Sequence, residues 1–459
     1  MGLATETEPI PPHEYATSIR PMNRWRAVAS WLMLYACAQT QAPGANEPWL
    51  PQAEDERIQL CRTADFTLTV RGADGLPLAH APVNITMTRQ KFLFGCNALS
   101  LKGCGSDQLE QLYEERVAAL VNYATLPFYW DSYESTEGHV EEQRLRAMAE
   151  WCMEHGIRPK GHPLCWHYSL PQWLYQKSPA DIRQIQTNRI RREVSAFAGL
   201  IDAWEPVNEI MSMPDAPADN PIGRLCRALG PDNLVRDSFA TARQANPKAT
   251  LILNDFDVSS ARAKHIAEDL LNGVSIDCVG IQLHMHKGLR SQQDVWNICE
   301  TFGKLGKPLQ ITEITILSGP LKTDDNWFSD HPGWNTTPEG EQLQAKQVVA
   351  LYRLLFSHPA VEAITWWDPT DFHAWQGAPA GLLRKDMSPK PAYDALMKLI
   401  KGEWWTGPLQ LISDDSGKIH FRGFLGNYTI TTQHESAAFS LDNPGTACQD
   451  VLLKEKEDR

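Results

Sequence analysis

No two of the ten cysteines stand in a Cys-x-x-Cys pair, which sets aside zinc-ribbon and thioredoxin-type chemistry. Spread from Cys37 to Cys448, they are too dilute for a disulfide framework and read as small, mostly buried apolar residues. Positive charge is also short. The 43 Lys and Arg face 56 Asp and Glu, for a net charge of −13. Sequence-independent binding to nucleic acid draws on cations meeting phosphates, so no nucleic-acid partner is expected. A neutral polymer such as a polysaccharide is not excluded. Tryptophan, by contrast, is plentiful at 16 residues. Flat apolar rings stack on the C–H faces of pyranoses, and the same rings serve equally well as core.

The start of the chain carries Arg24-Trp25-Arg26 ahead of an apolar run over 27–34 and then Tyr35-Ala36-Cys37. A basic patch before a short apolar run is the pattern of a secretory signal. The run falls short of the roughly 20 residues that span a bilayer. Leu34-Tyr35-Ala36-Cys37 resembles a bacterial lipobox, which would lipidate Cys37 and anchor the protein to a membrane, with Met22 as an alternative start. Residues 1–36 are therefore read as signal and 37–56, rich in Pro, Gln, Ala and Glu, as a linker. The expected location is secreted or at the cell envelope, and the expected state is a monomer.

Two β-rich pieces flank a long α/β region. In 57–91, alternating runs at 66–71 and 83–88 enclose the turn Ala73-Asp74-Gly75. In 403–440, runs at 409–412, 418–421 and 428–432 enclose a turn at 414–417. Isolated hairpins are marginal in water, so the two pieces are expected to pair into one small β domain. Residues 441–459 are expected to be a flexible tail. Between the pieces, over 92–402, short apolar runs at 92–96, 120–125, 158–162, 203–207, 250–255, 278–282, 308–312 and 363–367 alternate with helical stretches. Alternation of this kind argues for a parallel sheet, and eight units argue for its closure. The fold class is α/β, a (β/α)8 TIM barrel with a small flanking β domain. In such barrels the active site lies at the C-terminal ends of the strands.

Two of those ends carry carboxylates. Trp204-Glu205-Pro206-Val207-Asn208-Glu209 ends the fourth strand and Ile311-Thr312-Glu313 the seventh. A single Glu reads as a surface ion pair. Two at the mouth of one barrel are what glycoside hydrolysis needs, one to protonate the leaving oxygen and one to attack the anomeric carbon.

At these residues the chain resembles family 10 of the glycoside hydrolases, the β-1,4-xylanase family, over about residues 92–399. Phe94-Gly95-Cys96-Asn97-Ala98 resembles the first-strand motif. Trp130 through Glu134, with Gly138, is similar to W-x-x-x-E-P-x-x-G, with Ser135 in place of Pro. Gly161-His162-Pro163-Leu164-Cys165-Trp166-His167 is similar to G-H-x-L-x-W-H, and Trp204 through Glu209 to W-D-x-x-N-E, with Glu205 for Asp. Asn254-Asp255-Phe256, Gly280-Ile281-Gln282-Leu283-His284, Ile311-Thr312-Glu313, the spaced Trp367, Asp371 and Trp375, and Pro389-Lys390-Pro391-Ala392-Tyr393 follow in the family's order.

The resemblance implies roles. Glu209 would be the acid/base and Glu313 the nucleophile of a retaining mechanism. Asn208 would bond the 2-hydroxyl of the sugar at the −1 position, and His284 would hold Glu313. His162, Trp166, His167 and Gln282 would line the −1 site. Trp367 and Trp375 would wall it, and Trp130 is counted among the substrate-binding residues. No cofactor is implied. His162, His284 and His286 read as hydrogen-bonding histidines rather than metal ligands. The expected substrate is a polysaccharide or oligosaccharide, xylan or a related plant β-glycan. One departure touches it. The family carries E-N-x-x-K directly before the Trp matching Trp130, and here Thr125, Leu126 and Tyr129 take the Glu, Asn and Lys places. A hydrogen-bonding −2 subsite has become apolar and aromatic, which should relax or change sugar choice. Another β-linked glycoside, or a carbohydrate-binding barrel without turnover, are the alternatives.

Overall fold

The structure, a computed structural model, describes residues 47–456. The signal, lipobox and Cys37 expectations lie outside them. Strands β1 (Thr63–Arg71) and β2 (Pro82–Gln90) come first. Eight parallel strands then close into a barrel. They are β3 (Leu93–Asn97), β4 (Tyr123–Pro127), β5 (Arg158–His162), β6 (Ala203–Asn208), β7 (Thr250–Asp255), β8 (Cys278–His284), β9 (Leu309–Thr315) and β10 (Val361–Trp366). Barrel strands are covered on both faces, so they read as continuous apolar runs rather than alternating ones. Leu251, Ile252 and Leu253 of β7, all at 0% exposure, are an instance.

Five of the helices between strands start where the sequence supplies a hydroxyl. Ser106, Ser178, Ser259, Ser291 and Thr337 each accept a backbone N–H of the first helical turn, satisfying a donor that the helix itself leaves free. Ser178 and Asp181 form a reciprocal capping box. Because all eight barrel strands run parallel, each delivers its last residues to the same rim.

Two small sheets flank the barrel. The expected pairing of the two β-rich pieces is present. β1 runs antiparallel to β12 (Lys418–Phe424), and β2 lies between β11 (Leu409–Ile412) and β13 (Gly426–Thr431). β14 (Glu435–Leu441) extends the second sheet. Phe66, Leu68, Ile85, Tyr428 and Phe439 pack between the sheets.

Two boundaries differ from the sequence reading. The tail is not flexible throughout, because β15 (Gly445–Leu452) pairs in parallel with β1, Phe66 opposite Ala447, and buries Val451. β1 needs a partner on its second edge, and this segment supplies it. The linker reading is also corrected. A helix over Pro51–Arg62, started by Pro51, crosses the expected linker boundary and the first β-rich piece. It buries Glu54 and Ile58, and Arg62 donates to the carbonyls of Phe356 and His358 ahead of β10 and of Val361 at its first residue.

Trp404 joins the two parts. Its ring stacks on Phe356 at 4.1 Å and on Phe94 at 5.7 Å and is 1% exposed. Trp405 packs on the flanking core. Trp404→Ala should therefore cost about 3–5 kcal/mol, read as a lower denaturant midpoint at unchanged slope.

Candidate active site

Glu209 is the residue immediately after β6, and its backbone takes a left-handed φ of 57°. A non-glycine residue pays strain for that conformation, which persists only where its surroundings fix it. Here the Glu209 N–H donates to the Asn254 carbonyl at 2.9 Å. The carboxyl then meets three donors. Trp166 Nε1 reaches Oε2 at 2.8 Å, while Gln282 Nε2 at 3.1 Å and Asn208 Nδ2 at 3.2 Å reach Oε1. Burial, and after it the negative charge of Glu313, still push Glu209 up to about 7. Desolvation penalises the charged form and a like charge adds to the penalty.

Glu313 lies within β9 and is 4% exposed. His284 Nε2 is 2.9 Å from its Oε2, and Asn254 Nδ2 donates to its Oε1 at 2.9 Å. A carboxylate only accepts, so His284 carries its proton on Nε2. Its Nδ1 lies 2.8 Å from the Thr315 hydroxyl. Asn254 also donates to Asn208 Oδ1 at 2.9 Å and accepts from Thr312 at 2.5 Å. Gln282 completes the chain by donating to Asn208 Oδ1 at 3.3 Å. The two carboxylates are thus joined through three amide side chains. Gly280 makes room for this, since a Cβ there would lie 2.7 Å from Asn254 Oδ1.

A second network lies behind. Glu205, fully buried, accepts from Lys160 Nζ and pairs with His162 Nδ1 at 2.5 Å. Burial alone would raise its pKa, but Lys160 and His162 outweigh that and hold it down at about 2. A nitrogen of His162 and oxygens of Glu205 and Glu313 come within 4.8 Å of one another, a spacing that a metal ion could bridge. The Lys160 ammonium, also 0% exposed, already supplies the cation there. The donor set therefore fits a charge-paired carboxylate better than a metal centre.

Glu205→Gln would strand Lys160 without an anion and should destabilise by about 3–5 kcal/mol. The sign of its pH dependence follows from the depressed value. The contribution of Glu205 is fully present above the usual carboxylate range near 4.5 and is lost as pH falls towards about 2. Thermal melts of both proteins across acid pH should converge.

The remaining residues expected at the site divide. Trp367 packs between His162 and His284, at 5.5 and 6.0 Å between ring centres, and Trp375 lies 4.9 Å from His284. Trp375 is held by its N–H donating to Asp368, which in turn accepts from Asn97. His167 stands behind Trp166, its Nε2 3.5 Å from the Ser212 hydroxyl, and burial pushes it down to about 4. Trp130 is not part of this ring. It is 3% exposed, donates to Glu134 at 3.1 Å and lies under the Arg189 guanidinium. Thr125 and Leu126 are fully buried, and the Tyr129 ring packs 5.7 Å from His162 and 5.9 Å from Trp166. Lys160, Asn254 as a bridge, and Thr315 were not singled out in the sequence. A lysine inside a barrel strand was the available signal, because a buried ammonium demands an anion.

One carboxyl pushed towards neutrality and one ringed by donors, at the mouth of a parallel eight-stranded barrel, define a glycoside hydrolase site. The chain belongs to glycosyl hydrolase family 10, whose sequence model matches residues 85–399. Among curated proteins, it is 26% identical over 287 residues to endo-1,4-beta-xylanase B of Thermotoga neapolitana, covering 59% of this chain and 78% of that protein. It is 25% identical over 398 residues to anti-sigma-I factor RsgI6 of Acetivibrio thermocellus. That match covers 85% of this chain, which spans about half, 47%, of the factor's length. Among solved structures, xylanase 10B from Thermotoga petrophila RKU-1 in complex with xylobiose has the same fold. Its TM-score is 0.57 at 24% identity, covering 68% of this chain and 95% of that one.

Proposed function

We propose that the protein is a retaining glycoside hydrolase that cleaves β-1,4-linked xylan or a related substituted plant β-glycan by double displacement. The observation that carries the reading is the contrast between the two linked carboxyls, Glu209 pushed up to about 7 by burial and Glu313 gripped by His284 and Asn254. Glu209 protonates the glycosidic oxygen while Glu313 attacks the anomeric carbon. Glu209, now ionised, takes a proton from water, which attacks the same carbon and frees Glu313. Asn208 faces the sugar 2-hydroxyl, and Trp367 and Trp375 wall the −1 position. Substrate class rests on the family and on relatives named as xylanases. The uncharged Thr125, Leu126 and Tyr129 favour a glycan whose second sugar is not gripped by charged side chains.

A match over 85% of the chain to a protein named as an anti-sigma factor and not as a hydrolase leaves room for a second reading, in which this barrel binds glycan without turnover. Reducing-sugar release from xylan, arabinoxylan, mixed-linkage glucan and aryl-β-glycosides separates them. Release from xylan supports the first reading. Release only from another glycoside keeps the mechanism and moves the substrate. Saturable binding of the same glycans without release would favour the second reading.

A further inference from the structure

The segment between β9 and the helix Pro338–Ser357 is long, and its stem is closed on itself. Thr337 N–H donates to the Ser318 carbonyl at 2.9 Å, and Ser318 Oγ accepts from Thr336 at 2.8 Å and from Lys390 at 2.9 Å. Further out, Lys322 N–H donates to the His286 carbonyl at 2.8 Å and His331 N–H to the Gln376 carbonyl at 2.9 Å. The loop is thus fastened to the segments that follow both β8 and β10. Lys322 pairs with Asp324 at 2.8 Å and Lys287 with Asp325, ahead of the tip.

The tip is Trp327-Phe328, and its two consecutive rings point to opposite sides of the site. Trp327 stacks on Trp375, centres 6.1 Å apart and planes 24° apart. Trp375 in turn faces His284, the partner of Glu313. Phe328 packs on Tyr168 at 4.5 Å. Tyr168 lies 5.1 Å from Trp166, which donates to Glu209. Phe328 is 69% exposed, so this ring contributes little to a core. What its contact achieves is a bridge from the nucleophile's side to the acid/base's side.

We propose that the loop over 317–340 roofs the catalytic cleft through Trp327 on Trp375 and Phe328 on Tyr168. A glycan then enters by a chain end, and the enzyme acts on chain ends and short oligosaccharides rather than on the interior of long chains. This rests on the hydrolase reading above. A polymer cut in its interior must lie sideways across an open groove, and a fastened strap forbids that approach, whereas a free end passes beneath it.

The test uses xylohexaose carrying a bulky fluorophore at one end or at both, with wild type and the Trp327→Ala/Phe328→Ala double variant. Wild type should cleave the doubly blocked chain at least on the order of tenfold more slowly than the singly blocked one, and the variant should bring the two within about twofold. Wild type should also release reducing ends from soluble xylan with little loss of viscosity, a measurement that needs no variant. Equal wild-type rates on both chains, or a steep viscosity loss per bond cut, would overturn the roof. Failure to cleave even unblocked xylohexaose would instead sink the substrate reading, and this inference with it.

Discussion

Glu313→Gln should lower kcat/KM on a hydrolysable β-glycan by on the order of ten-thousandfold or more, because the proposed mechanism has Glu313 form the covalent bond to the anomeric carbon. The carboxamide keeps the volume of the carboxylate but has one accepting oxygen where Glu313 has two. His284 and Asn254 both donate to Glu313, so one donor in the variant meets an NH2. Binding should survive better than turnover, since Asn208, Trp367 and Trp375 are untouched. Glu313→Ala adds a stereochemical control. A small anion such as azide, admitted into the space, can attack from the nucleophile's face and leave with the opposite anomeric configuration. Wild type should release product with configuration retained, read by NMR before mutarotation. Turnover by Glu313→Gln close to wild type would overturn the assignment of the nucleophile.

The barrel was legible because its strands announce themselves twice, by continuous apolar runs and by turns and helix caps at even spacing. The stretches 158–162 and 250–255 coincide with β5 and β7. The boundary differs at β4, where the apolar run from Leu120 belongs partly to the end of the helix Asp107–Leu120. Period alone does not divide a short apolar run between a helix end and a strand start. β15 was illegible for the opposite reason. Gln449 and Asp450 are exposed, and only the unfilled edge of β1, nearly four hundred residues away in sequence, makes the segment a strand.

Chemistry and family motif together pointed to Asn208, Glu209, Gln282, His284 and Glu313, which the structure brings into one hydrogen-bonded cluster. Trp130 marks the limit of that method. The W-x-x-x-E spacing places Trp130 and Glu134 one helical turn apart, and the indole donates to that carboxylate. Within the motif the Trp is thus satisfied by its own Glu and serves packing. The Lys160–Glu205–His162 network was hidden because its members come from two strands, and strand register is absent from a motif read along one.

Glu209 should impose the basic limb of the pH profile. Its carboxyl must be protonated to donate to the leaving oxygen, and burial with the Glu313 charge pushes it up to about 7. The sign follows directly: kcat/KM on a glycan should be sustained below that value and fall as pH rises through it. Glu209→Gln should slow glycan cleavage by about 10²–10⁴-fold and abolish the limb. Aryl glycosides with strongly acidic phenols should lose far less in their first step, because such leaving groups depart without a proton. Trp166→Phe gives the finer check. The indole donates to Glu209 Oε2 and so favours the charged form; removing that donor should move the limb to higher pH while leaving a titrating acid in place. A limb that stays put in Trp166→Phe and persists in Glu209→Gln would mean that another group supplies the proton.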